Sequence, residues 1–306
     1  MKLLHRLISA ALVLCLLGAA LPFTAAAEEA HDFSAGFEPV LLDYMAKHNL
    51  TDQNFALGFY HTGTGQTYYY GEDRFLTAAS MYKLPLNMIY TDLIAEGRRS
   101  EADPLRGRSV GSAMYDSMVY SDNDAAIALC NGLLPDFDWS WTAMWQSLAR
   151  YSDLSVSELP DNFVSANLMS PHLLLQTLRH LYENQEHYAG VLEKMKRANA
   201  GHYLRFNDPE TYVIAQKYGA IDGFINVSAV VWTPQPYLLV VFTRYALPSG
   251  EQVLSDLRDL TTEYALYLEA HAADFPVLSP RDSALQSLRA AMARVRAQRV
   301  SEAENG

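Results

Sequence analysis

Strand-forming sequence stands at two widely separated places in this 306-residue chain, one early and one late. Residues 54–61 and 66–70 are rich in aromatic and apolar residues and flank Thr62-Gly63-Thr64-Gly65, the composition of a β-hairpin and its turn. Residues 211–217, 224–232 and 237–245 are three further extended runs, the last two joined by Thr233-Pro234-Gln235-Pro236. The expected fold class is therefore α/β (α+β), a five-stranded antiparallel sheet whose first and last parts meet in space, with helices inserted between them. Gly63-x-Gly65 has a nucleotide-loop spacing, but no helix follows it, and a turn is the better reading. Tyr68, Tyr69 and Tyr70 read as strand residues rather than a ligand cage.

Helical periodicity fills the space between. Residues 37–48 carry Val40, Leu41, Tyr44 and Met45 on one side. A second helix is expected from Ser80 to Glu96, with Leu84, Met88, Leu93 and Ile94 toward the core and Gly97 as its stop signal. Pro85 should distort that helix just after its first turn, because it has no amide to donate. Ser170-Pro171 is a helix start leading into Leu173 to Leu181, and a last core helix runs from Glu251 to Leu268. No internal repeat or low-complexity linker breaks the chain.

The two ends differ from the middle. Lys2 and Arg6 precede an apolar run from Leu7 to Leu21, and residues 24–27 are small, so 1–27 reads as an export signal cleaved near Ala27. The expected product is extracytoplasmic, secreted or associated with the cell envelope, and soluble; retention as an uncleaved N-terminal anchor is the alternative. Cys15 sits between Leu14 and Leu16, where a lipoprotein cysteine would want a small residue before it. Cleavage leaves Cys130 as the one cysteine, so no internal disulfide can form, and its apolar surroundings suggest a buried small residue. Loss of Lys2 and Arg6 moves the formal charge from −12 to −14, which argues against nucleic-acid binding. The nine histidines include no His-x-x-x-His pair beside a glutamate, no residue set reads as a metal site, and no cofactor is expected. At the far end, 280–306 reads as a basic amphipathic tail helix, with Leu285, Leu288, Met292 and Val295 on one face and Arg289, Arg294, Arg296 and Arg299 among the other positions. Packing on the domain is the preferred reading of this tail, and peripheral contact with an anionic envelope surface is the alternative.

Chemistry concentrates around Ser80-Met81-Tyr82-Lys83. Residues three apart on a helix share a face, so a hydroxyl and an amine can meet there. A neutral lysine can take the serine proton, provided burial or a second cation keeps it from holding its own. The pattern alone is weak, occurring by chance about once per 300 residues, and its plain reading is a helix cap followed by a solvated lysine. Two further patterns follow in order: Ser121-Asp122-Asn123, itself a helix-cap tripeptide, and Lys217-Tyr218-Gly219-Ala220 at a strand end.

Together and in this order the three resemble the active-site elements of the penicillin-recognising serine enzymes, in particular the class A β-lactamase-like branch. The resemblance spans about 35–270 and implies a catalytic domain over 28–279 with a helical insertion at about 98–205. It implies that Ser80 is acylated, that Lys83 accepts its proton, and that Ser121 relays a proton to the leaving nitrogen. Lys217 would supply positive charge and Asn123 would hold the substrate's amide side chain. The amides of Ser80 and Ala220 would form an oxyanion hole, with Tyr218 and Gly219 lining the strand beside them. The implied partner is a small-molecule or peptide amide, a β-lactam or a cell-wall peptide, bound by a monomer.

The chain departs from the family at two positions and leaves a third open. Tyr218 stands where Thr or Ser is usual, and 224–232 has no arginine to meet a substrate carboxylate. Glu158 is either the base that activates water for deacylation or a surface loop acid, and the short loop ahead of Ser170 favours the second. The expected function is an exported β-lactamase-like serine hydrolase that opens β-lactam rings. Its alternatives are a penicillin-binding DD-peptidase-like enzyme and a non-catalytic envelope-binding module of the same fold.

Overall fold

The computed structural model describes residues 31–244 and 249–275; the expected export signal at 1–27, the expected tail helix at 280–306 and Tyr245 lie outside them. Residues 31–34 belong to a separate N-terminal unit in which the Ser34 amide donates to Asp32 Oδ1 (2.9 Å), and those from 35 on form the second unit. Helix α1 (Phe37–Lys47) buries Phe37, Leu41 and Met45, one per turn, and leads to strands β1 (Phe55–His61) and β2 (Thr67–Tyr70). The short strand β3 (Leu76–Thr77) delivers the chain to a 3-10 turn at Ala79–Tyr82 and then to α2 (Lys83–Ala95). A ribbon of β4 (Pro104–Leu105) and β5 (Arg108–Ser109) precedes α3 (Val110–Val119), α4 (Asn123–Leu133) and α5 (Trp141–Gln146). Strand β6 (Leu168–Met169) pairs with β3 and runs into α6 (Pro171–Glu183), followed by α7 (Ala189–Arg197). Strands β7 (Val213–Ile221), β8 (Phe224–Trp232) and β9 (Tyr237–Arg244) and helix α8 (Ser249–Ala270) complete the described chain.

The early and late strands form a single antiparallel sheet in the order β2-β1-β9-β8-β7. Helices cover both of its faces, which is why β8 and β9 are buried almost continuously instead of alternating. On one face Phe59 of β1 packs its ring 6.0 Å from Phe37 of α1 and 5.3 Å from Tyr264 of α8. On the other, Gly58 admits α6: a Cβ there would already touch Leu175 Cδ2 at 3.4 Å. Helix α2 is buried on every side from Lys83 to Tyr90 and is the centre of the helical layer. Burial all round suits a helix at the middle of a layer, and its two buried polar side chains, Lys83 and Asn87, are both hydrogen-bonded. Cys130 is buried in the same layer, where desolvation pushes its thiol up to about 12. Among the described residues no helix is long and apolar enough to cross a membrane.

Two local expectations are corrected by the structure. The α-helix begins at Lys83, not Ser80, so Pro85 falls within its first turn. Amides there have no intrahelical acceptor, and Pro85 costs the helix no hydrogen bond. Strand β7 does not end at Lys217 but continues to Ile221, carried on by its pairing of Tyr218 with Val227, Gly219 with Asn226 and Ala220 with Ile225. The turn is Asp222-Gly223, both at positive φ (47° and 82°), the pair a two-residue hairpin prefers.

Candidate active site

Ser80 lies in the 3-10 turn, immediately after Ala79, whose φ is +50°. A residue with a Cβ costs about 1 kcal/mol or more in this region, so the turn needs outside support. Asn167 supplies it from the loop before β6: its Nδ2 donates to Ala79 O (2.8 Å), and its own carbonyl accepts from the Ala78 amide (2.8 Å). Asn226 of β8 holds the strand before the turn, with Nδ2 donating to Thr77 O (2.8 Å) and Oδ1 accepting from the Thr243 amide (3.1 Å). From the other side Gly219 of β7 lies against the turn. A Cβ at this position would sit 2.6 Å from Ser80 N and 2.8 Å from Ala78 O, so only glycine lets the strand pass so close. The exposed residue Ala220 follows it on the strand.

Lys83 follows Ser80 by three residues and is fully buried. Its Nζ donates to Ser121 O (2.7 Å) and Asn123 Oδ1 (2.7 Å) and lies 3.3 Å from Ser121 Oγ. Burial lowers its pKa to about 8, against the opposing pull of Asp122 and the Cys130 thiol. A neutral amine has two N–H bonds and one lone pair. The two short contacts satisfy both N–H bonds and leave the lone pair available for a proton. Lys217, also fully buried, donates from the facing strand to Ser121 Oγ (3.0 Å). Its pKa falls well below the usual lysine value, first through desolvation and then through the nearby charge of Lys83. Ser121 itself sits at φ +56°, between the end of α3 and Asp122, whose carboxylate caps α4 by accepting from the Ala125 amide (2.6 Å). That cap aims Asn123, the first residue of α4, at Lys83.

Lys83, Ser121, Asn123 and Lys217 thus form one hydrogen-bonded cluster, and Gly219 lays its strand, with Ala220 at the edge, on the Ser80 backbone; among the described residues no hydrogen bond joins the Ser80 hydroxyl to Lys83. Tyr218 is held differently. Its ring stacks on Tyr203 (4.3 Å between centroids, 26° between planes) and is 8% exposed, with Lys217 Nζ 4.0 Å from its centroid. Glu158 is exposed, and its Oε2 accepts from the Ser155 amide (2.8 Å) and hydroxyl (2.6 Å) in the capping box of its own 3-10 turn. It is a loop acid engaged in local structure. Asn167 and Asn226, the residues that support the Ser80 turn, were not among the sequence candidates for the site. The one local signal is that Asn167 occupies φ +50°, a region asparagine tolerates better than most residues.

A family model described as the beta-lactamase enzyme family matches residues 42–265. No curated protein sequence matches the chain. Among solved structures it is similar to a variant of the last common ancestor of Gram-negative class A beta-lactamases, at 19% identity over 74% of this chain and 99% of that one, with a TM-score of 0.61. A beta-lactamase from Sphaerobacter thermophilus is 21% identical over 77% of this chain and 98% of its own, at a TM-score of 0.61. A third, from Xanthomonas campestris, is 18% identical over 74% and 98%, at 0.59. Those likenesses carry the fold, a helix-flanked five-stranded sheet. The family match covers both the sheet and the helices that hold the serine and lysines, and by it the chain belongs to the beta-lactamase enzyme family, as a β-lactamase-like serine hydrolase.

Proposed function

We propose that this protein is exported through its 1–27 signal and forms an acyl-enzyme at Ser80 with a β-lactam or a related peptide amide. The observation that carries the reading is the shared hydroxyl of Ser121, 3.0 Å from Lys217 Nζ and 3.3 Å from Lys83 Nζ, both amines buried and depressed in pKa. Ser80 Oγ attacks the carbonyl carbon and gives its proton to Lys83. Negative charge develops on the carbonyl oxygen and is met by the amides of Ser80 and Ala220. The C–N bond then breaks, and the leaving nitrogen takes a proton from Ser121, which is resupplied from the lysines. Water attack on the Ser80 ester would release the acid and restore the hydroxyl.

Capture draws on the buried lysines and Ser121; release needs a base for the attacking water. Glu158 is committed to Ser155, and so the water has no base from this quarter. This favours a long-lived acyl-enzyme, the behaviour of a penicillin-binding peptidase, over rapid lactam turnover. Intact-protein mass spectrometry during exposure to benzylpenicillin tests both steps. The expected result is an adduct of the whole drug mass that persists after the free drug is removed and is missing from Ser80→Ala. A folded wild-type protein that never gains the mass would overturn acylation at Ser80, and an adduct that clears within seconds would overturn slow release. N-terminal sequencing of protein recovered outside the producing cell tests export, with a new terminus near residue 28 as the expected outcome.

A further inference from the structure

Away from the Ser80 site, the fold assembles a donor set that no local motif announces. Glu72 and Asp73 lie in the turn between β2 and β3, and His172 stands in the first turn of α6. One ligand atom from each lies within 4.8 Å of the others. The His172 amide donates to Glu72 O (3.1 Å), so the two segments are fastened by backbone as well. His172 is 3% exposed, and its two ring nitrogens are divided between two carboxylates: Nδ1 faces Glu72 Oε1 (3.1 Å) and Nε2 faces Asp153 Oδ1 (2.5 Å). Carboxylates accept and do not donate, so something positive has to stand between Nδ1 and Glu72. It is either a proton or a metal ion.

We propose that Glu72, Asp73 and His172 Nδ1 bind a divalent transition cation of the Zn²⁺ class, with Asp153 orienting the imidazole from its other nitrogen. One imidazole and two carboxylates are the donors such an ion takes, with water filling the remaining position. A ligating histidine characteristically gives its second N–H to a carboxylate, the place Asp153 holds. On binding, the metal replaces the proton at Nδ1, that proton leaves to solvent, and Nε2–H remains on Asp153. The ion would be structural. It would tie the β2–β3 turn to both ends of 153–172, and within this segment Asn167 holds the Ala78–Ala79 turn. No local motif marks the site, because the donors come from residues 72, 73 and 172.

The test uses the full chain, stripped with chelator, and measures thermal unfolding and calorimetric binding with ZnCl₂ alone. The expected result is one equivalent bound, and a rise in Tm of roughly 5–10 °C at a hundredfold excess over Kd. Asp73→Asn, an exposed substitution, should weaken binding at least about tenfold, with the Tm rise on adding ZnCl₂ measured from the variant's own metal-free Tm. His187→Gln, at a histidine outside the cluster, should leave binding unchanged. Absence of saturable binding, affinity unaltered in Asp73→Asn, or affinity lost equally in His187→Gln would each overturn the site. A preference for Ca²⁺ over Zn²⁺ would overturn the class of cation assigned.

Discussion

Lys83 is pressed from an ordinary 10.5 to about 8 chiefly by burial, and this has a kinetic and a thermodynamic consequence. If its neutral form takes the Ser80 proton, acylation rises with pH through about 8 and levels off above it. At pH 6 the rate should be about a hundredfold below the plateau, since that fraction of the amine is neutral. Second-order acylation rates from about pH 6 to 9.5 would show it, and a flat profile would remove Lys83 as the base. For stability, both buried lysines have folded pKa values below their unfolded ones, so above about pH 8 the unfolded chain binds more protons than the folded one. Stability to urea should therefore climb between about pH 8 and 9.5. Nearer pH 10 the buried phenols of Tyr82 and Tyr203, raised by desolvation, begin to pull the other way. At Gly219 the issue is volume. Gly219→Ala places a methyl 2.6 Å from Ser80 N, so strand or turn must move; a loss of about 1–3 kcal/mol and a marked fall in acylation are expected, read by urea unfolding and by adduct formation.

At the level of elements, the Ser80 turn is set by its neighbours and not by its own sequence. A 3-10 turn with Ala79 at φ +50° has no propensity to recommend it, and the clamps from Asn167 and Asn226 hold it in place. Asn226→Leu would strand the buried Thr243 amide and remove the donor to the half-buried Thr77 O, at a cost of about 1–3 kcal/mol in urea unfolding. A change below about 0.5 kcal/mol would mean that those groups find other partners. The capped helices carry their starts in local sequence. Ser170 with Pro171 opens α6, and Asp122 opens α4, each through a side chain accepting from an amide three residues on. Strand β7 is less legible, because its last four residues are held by pairing with β8 and only the Asp222-Gly223 turn marks its end.

For the whole molecule, the sheet joins residues that synthesis places far apart. Strand β1 has β9 as its inner partner, so the hairpin at 55–70 has no finished sheet until 237–244 arrives. A fragment ending at residue 205 should accordingly show helical signal without a cooperative thermal transition, followed by near- and far-ultraviolet circular dichroism. Cooperative melting of that fragment would show that the helical layer folds alone. What the amino-acid order determined unaided was the kind and approximate place of the five sheet strands and of the helices at 37–48, 173–181 and 251–268, together with the chemistry Ser80, Lys83, Ser121, Asn123 and Lys217 can offer. Periodicity, caps and turns act over a few residues, and a single chain carries them openly. Tertiary structure alone decided that Lys217 shares a hydroxyl with Lys83, that Gly219 lies on the Ser80 amide, and that Tyr218 stacks on Tyr203. It also decided that Glu72, Asp73 and His172 meet. Contacts of this kind are fixed by strand register and by the packing of helices on a sheet, and both depend on every element at once.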